Sequence, residues 1–133
     1  MNPQKIVISA SASQATAIDK WRQYWSDGRH IIINYPLPIT GKDFEATWPE
    51  IHQKFYQSLS ETDILFIANE DKNDSIGHIG VGVFAELAFA VGLNFTRDKK
   101  INILLYQIPG SHNQFYQDVM VWIKQGWIKI LEK

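Results

Sequence analysis

The sequence predicts an α/β domain built on a single doubly wound, five-stranded parallel sheet. Two observations carry this. Short, unbroken apolar runs recur five times, and stretches with helical spacing or helix-opening residues separate them. Strands that are apolar throughout are buried on both faces, and strict alternation of strand and helix makes such a sheet parallel. A length of 133 residues supports one core, so a single domain is expected over 1–133.

The first strand is expected at Lys5-Ile6-Val7-Ile8-Ser9. Ser11 or Ser13 can then cap a helix on which Ile18, Trp21 and Trp25 recur at helical spacing, with Gly28 as its stop. A second strand is expected over 30–34, followed by a proline-rich loop over 35–41. Thr47-Trp48-Pro49-Glu50 reads as a helix start, with Thr as cap, Pro in the first turn and Glu closing a capping box. Trp48, Ile51, Phe55 and Leu59 mark the apolar face of that helix.

The third strand is expected over 63–68, and a polar loop then leads through a glycine-rich turn into a helix around 84–93. A fourth strand follows over 101–106. Ser111-His112-Asn113-Gln114 opens a last helix with a second capping box, and Phe115, Val119, Trp122 and Ile123 line its apolar side. Gly126 ends that helix, and 127–131 is the fifth strand. This order defines a three-layer sandwich of the flavodoxin/Rossmann-like type. In such sheets, ligands bind beyond the carboxyl ends of the strands, near a topological switch point. Those ends read Ser9, Asn34-Tyr35, Asn69-Glu70 and Gln107, all suited to hydrogen bonding a small molecule.

Composition narrows the function. Thirteen Lys and Arg against fourteen Asp and Glu leave a net charge of -1, without the basic excess of a nucleic-acid-polymer binder. The absence of cysteine removes disulfides and thiolate metal sites. The four histidines show no zinc-binding spacing, and Glu70, Asp71 and Asp74 read as a solvated acidic loop rather than a cation site. No metal and no cofactor are therefore expected. The apolar run ending at Ile8 is too short for a signal-peptide core, so a cytoplasmic protein is expected. Between Asp74 and Arg97 only His78 and Glu86 are ionisable, but four glycines and a central Glu favour a buried helix over a membrane span. A load of five Trp, five Tyr and seven Phe exceeds what one small core readily buries and points to a subunit interface.

Glu86 is the most informative residue. Gly82, Val83, Ala85, Leu87, Phe89 and Ala90 surround it on the expected helix, so no face of that helix looks solvated. A buried carboxylate requires a partner, a raised pKa or a functional role. The turn before it, Gly77-His78-Ile79-Gly80-Val81-Gly82, has three glycines in six residues. Gly80 and Gly82 would let a ligand approach the backbone at a helix N-terminus. His78 is a candidate acid or base near neutral pH. Ser9, Ser11, Tyr35 and Asn69, at or just beyond strand ends, are candidates to contact a small molecule. Asp63 opens its strand at the opposite edge and reads as structural.

The run Gly82-Val83-Phe84-Ala85-Glu86-Leu87-Ala88-Phe89-Ala90 resembles the signature of nucleoside 2-deoxyribosyltransferases and the related deoxynucleoside 5'-monophosphate N-glycosidases. Asp63-Ile64-Leu65-Phe66 is similar to that family's third strand. The resemblance implies a five-stranded parallel sheet, a glutamate nucleophile at Glu86, cleavage or transfer at the N-glycosidic bond of a nucleoside or nucleotide, and a homo-oligomer whose neighbouring subunits complete the site. The chain departs from the family's pattern at three places. Val7 stands where a first-strand Tyr helps position the nucleophile, Phe55 where a second acid lies, and Gly80 where a polar residue precedes the Glu by six. If the turn holds two extra residues, His78 takes that last role. The departures leave two alternatives open: a nucleotide-binding or sensing domain without turnover, and a flavodoxin-like module whose aromatic surface binds protein.

Overall fold

A computed structural model describes residues 2–38 and 44–132. Strands β1 (Lys5–Ser9), β2 (Ile31–Asn34), β3 (Ile64–Ile67), β4 (Asn102–Leu105) and β5 (Lys129–Ile130) alternate with helices α1 (Ala15–Asp27), α2 (Phe44–Glu61), α3 (Val81–Thr96) and α4 (Tyr116–Lys124). All strand pairs are parallel, in the order β2-β1-β3-β4-β5. The chain is a doubly wound, three-layer α/β sandwich, as the alternation predicts.

Side-chain alternation along the strands splits the core in two. Ile6 and Ile8 of β1, with Ile64 and Phe66 of β3, pack on Trp21 and Trp25 of α1. Val7, Leu65, Ile67, Ile103 and Leu105 point the other way, against α2, α3 and α4. Burial of large side chains such as Trp21 and Leu87 stabilises the fold by about 1.5–3 kcal/mol each. The edge strands β2 and β5 depart from continuous burial, with Ile31 at 55% exposed and Lys129 exposed as well.

Several helix ends differ from the expected ones. Helix α1 starts after Gln14, while Ser11 and Ser13 bond each other through their hydroxyls at 2.9 Å. Helix α2 begins at Phe44, ahead of the expected Thr47 cap, and Pro49 lies inside it. Helix α4 begins at Tyr116 rather than at the Ser111 box. The opening role passes to Asn113, whose Oδ1 accepts the Phe115 N–H at 2.9 Å while its Nδ2 donates to the Ile79 carbonyl at 3.1 Å. The expected proline-rich loop is irregular as far as Pro38, and its residues Ile39, Thr40 and Gly41 lie outside the described residues. Among the described residues, no helix is long and apolar enough to cross a membrane.

The winding reverses between β1 and β3. From β1 the chain crosses to β2 on one side, and from β3 to β4 on the other. This places the carboxyl ends of β1 and β3, and the start of α3, around one crevice.

Candidate functional site

Helix α3 carries Glu86 into that crevice. The helix follows Gly80, which is extended at φ −86° and ψ 177°. Val83, Leu87, Ala90 and Val91 anchor it in the core. Glu86, between Val83 and Leu87 on the helix, is therefore held partly buried. Its Oε1 accepts a hydrogen bond from Ser9 Oγ at 2.5 Å, and Ser9 is itself fully buried at the end of β1. Burial pushes the Glu86 carboxyl up to about 7, although the Ser9 bond opposes the rise by favouring the charged form. Tyr56 of α2 is also raised, first by burial and then by the negative charge of Glu86.

A cavity of about 430 Å³ opens beside Glu86. That volume falls in the range of small-molecule sites. Its apolar wall comes from α2, through Trp48, Ile51, His52 and Phe55. Rings on this side form a ladder, with Phe44 stacked on Trp48, Trp48 tilted against His52, His52 tilted against Tyr56, and Tyr56 edge-on to Phe89. The opposite wall is polar and comes from Ser11, Lys72 and His78. Asn34 at the end of β2, with Tyr35 and Pro36 just beyond it, closes the rim. Glu86 is the one carboxylate lining the cavity among the described residues.

Six of the residues singled out in the sequence meet here: Glu86, His78, Ser11, Tyr35, Gly80 and Gly82. His78 is fixed by its Nδ1 against Ser75 Oγ at 3.2 Å and by its backbone N–H to the Glu70 carbonyl. A Cβ placed on Gly82 would meet nothing within 4 Å, and one on Gly80 would meet only His78 Nε2, at 3.5 Å. The two glycines thus leave open space at the lip of α3. Arg22 stacks on one face of the Tyr35 ring, 4.0 Å from its centroid, and fixes that ring at the rim.

Ser9 and Asn69 do not line the cavity. Ser9 lies beneath it and acts on Glu86. Asn69 is buried, and its amide is fully spent on backbone groups. Its Nδ2 donates to the carbonyls of Gln107 (2.7 Å) and Gly77 (3.4 Å), while its Oδ1 accepts from Tyr106 and Gln107 N–H. Asn69 ties the end of β3 to the end of β4 and to the glycine turn. The acidic loop is tied down as well. Glu70 accepts from Trp21 Nε1 at 2.7 Å and pairs with Lys20, and Asp71 Oδ1 accepts from Gly77 N–H and Gln107 Nε2.

Trp48, His52 and Lys72 are cavity residues that the sequence reading passed over. Trp48 and His52 are four apart on α2, a spacing that puts them on one face but does not distinguish a core from a site. Lys72 sits among Glu70, Asp71 and Asp74, and its opposite charge was the available signal. In comparisons with known proteins, no family model matches the chain and no curated protein matches it.

Proposed function

We propose that the chain acts on the N-glycosidic bond of a nucleoside or nucleotide, cleaving it or transferring the sugar, with Glu86 as nucleophile. The observation that carries this reading is the placement of one partly buried carboxylate, oriented by Ser9, on a cavity with an aromatic wall and a polar wall. A base stacks on rings irrespective of its identity, and a sugar is bound by hydroxyl, amide and imidazole groups. With the base against Trp48 and the sugar over Glu86, the ionised carboxylate attacks the anomeric carbon. The new C–O bond forms as the C–N bond breaks, and its electron pair leaves with the base nitrogen. His78 supplies the proton the departing base requires. Water then attacks the same carbon, gives its proton to His78 and frees the carboxylate, as in retaining glycoside hydrolysis. In transfer, the nitrogen of a second base takes the place of water.

Nucleotide binding without turnover is the second reading. It draws on Val7 and Phe55, which are core residues at the positions where the resembled family carries a Tyr and an acid. Base release separates the two. The parent protein and Glu86→Gln are incubated with deoxynucleosides, ribonucleosides and their 5'-monophosphates, and free base is measured by chromatography. Release by the parent and its loss in the variant are expected. Binding without release at high protein concentration would overturn the catalytic reading and leave the second.

A further inference from the structure

A second cleft, of about 690 Å³, adjoins the first. It lies between the 72–78 loop and the loop that follows β4, with Ser75, Ser111, His112 and Asn113 in its walls. Lys72 and His78 line both cavities, so the partition between the two spaces includes these two residues.

The partition is braced. Lys72 and Ser75 exchange two backbone hydrogen bonds of 2.9 Å, with Asn73 at φ 54° in the turn between them. Gly110 N–H donates to the Ile76 carbonyl at 2.8 Å, joining this loop to the opposite wall of the second cleft. The Lys72 ammonium reaches Ser11 Oγ at 3.0 Å, and among the described residues no carboxylate pairs with it. A positive charge on a fixed loop thus stands at the passage between a nucleoside-sized cavity and a second polar one. The second cleft carries the Asp74 carboxylate in its wall, which disfavours a further anion there.

Resting on the reading of the first cavity as a nucleoside site, we propose that the ligand is a nucleoside joined through a 5'-diphosphate to a second, uncharged polar group. The nucleoside occupies the cavity beside Glu86, the diphosphate passes Lys72, and the second group lies between the 72–78 loop and Ser111-His112. The arrangement selects a bridged compound over a nucleoside triphosphate, because the triphosphate would place its terminal charge beside Asp74.

Titration calorimetry on Glu86→Gln, which is expected to bind without turnover, tests this. For each of the four bases, in ribo and 2'-deoxy form, the probes are the 5'-monophosphate, the 5'-triphosphate and the symmetrical dinucleoside 5',5'-diphosphate. A phosphomonoester carries a charge of about −1.5 to −2, close to that of the bridged compound, so that comparison isolates the second half of the ligand. The bridged compound of at least one base is expected to bind about tenfold tighter than its monophosphate, and the triphosphate no tighter than the monophosphate. Lys72→Ala is expected to weaken monophosphate and bridged compound alike. Ser111→Trp, which fills the second cleft, is expected to bring the bridged compound to the level of the monophosphate and leave monophosphate binding unchanged. A bridged compound that binds no tighter than its monophosphate for every base that binds overturns the extension alone. Failure of every probe to bind both Glu86→Gln and the parent overturns the nucleoside-site reading with it.

Discussion

Ser9 Oγ donates to Glu86 Oε1 at 2.5 Å, joining residues 77 positions apart in the chain. This bond orients the carboxylate and favours its charged form, against the burial that holds the group near 7. A nucleophilic carboxylate must be ionised, so kcat/KM for base release is expected to rise with pH through an inflection near 7. Ser9→Ala removes the stabilisation of the charged form. The inflection is expected to move to higher pH, and the rate at neutral pH to fall about tenfold or more, since a hydrogen bond to a charged group is worth about 1.5–3 kcal/mol. A pH–rate profile of both proteins checks this, and an unmoved inflection would falsify the assigned role of Ser9.

The same group makes stability depend on pH. The Glu86 carboxyl is raised from 4.5 to about 7 by folding, so the folded chain binds its proton more tightly than the unfolded chain. Its contribution is therefore most favourable below the unfolded value and is lost as pH rises from about 4.5 through about 7. The loss is on the order of 3 kcal/mol. Glu86→Gln cannot ionise, so it is expected to be more stable than the parent at pH 8 and close to it at pH 4. Urea unfolding at the two pH values measures the difference.

The sheet and Glu86 were legible in the sequence for one reason: both are written in local apolar pattern. The run from Lys5 to Ser9 matches β1 residue for residue. Glu86 is partly buried as expected, but the helix does have a solvated face, with Val81, Gly82 and Ala85 exposed, so the apolar neighbours pointed to burial more broadly than the fold delivers it. What was not legible depends on how distant elements meet. Trp48, Ile51 and Phe55 read as one core stripe, yet Phe55 is buried while Trp48 and Ile51 are 40% and 37% exposed. The difference arises because α2 leans over a cavity at its N-terminal half and over the sheet at its C-terminal half. Asn69 looked like a free polar group at a strand end. Its hydrogen bonds are set by Gly77 and Gln107, and no local pattern connects the three. The Ser111 box was a sound local signal, but the helix starts only at Tyr116, and Asn113 of the same stretch bonds the Phe115 N–H and the Ile79 carbonyl, a long-range contact that local pattern does not show.

Asn69→Ala is expected to cost about 2–4 kcal/mol, because it strips partners from several buried backbone groups at once. The residue is 2% exposed and bonds Gly77, Tyr106 and Gln107. The loss is measured as a lower urea midpoint with an unchanged m-value. A neutral outcome would remove Asn69 from the role of strap.

Trp48→Ala is expected to separate binding from stability. The ring lines the cavity and is 40% exposed, so its removal exposes little core. Base stacking on an aromatic ring is worth about 1–3 kcal/mol, so Kd for a nucleotide ligand is expected to rise about 5- to 150-fold. The Tm is expected to stay close to that of the parent. Calorimetric titration and a thermal melt on the same sample check both.

The strand order has a consequence for how the chain is made. β1 lies between β2 and β3, so its second row of backbone N–H and C=O groups waits for β3, on the far side of the whole of α2. On a ribosome adding about 5–20 residues per second, that wait lasts seconds. During it, Ile6, Val7 and Ile8 present an open strand edge that another nascent chain can pair with. The interior strand of the finished sheet is thus an open edge of the unfinished one, and α2 lies in the length of chain that sets how long the exposure lasts.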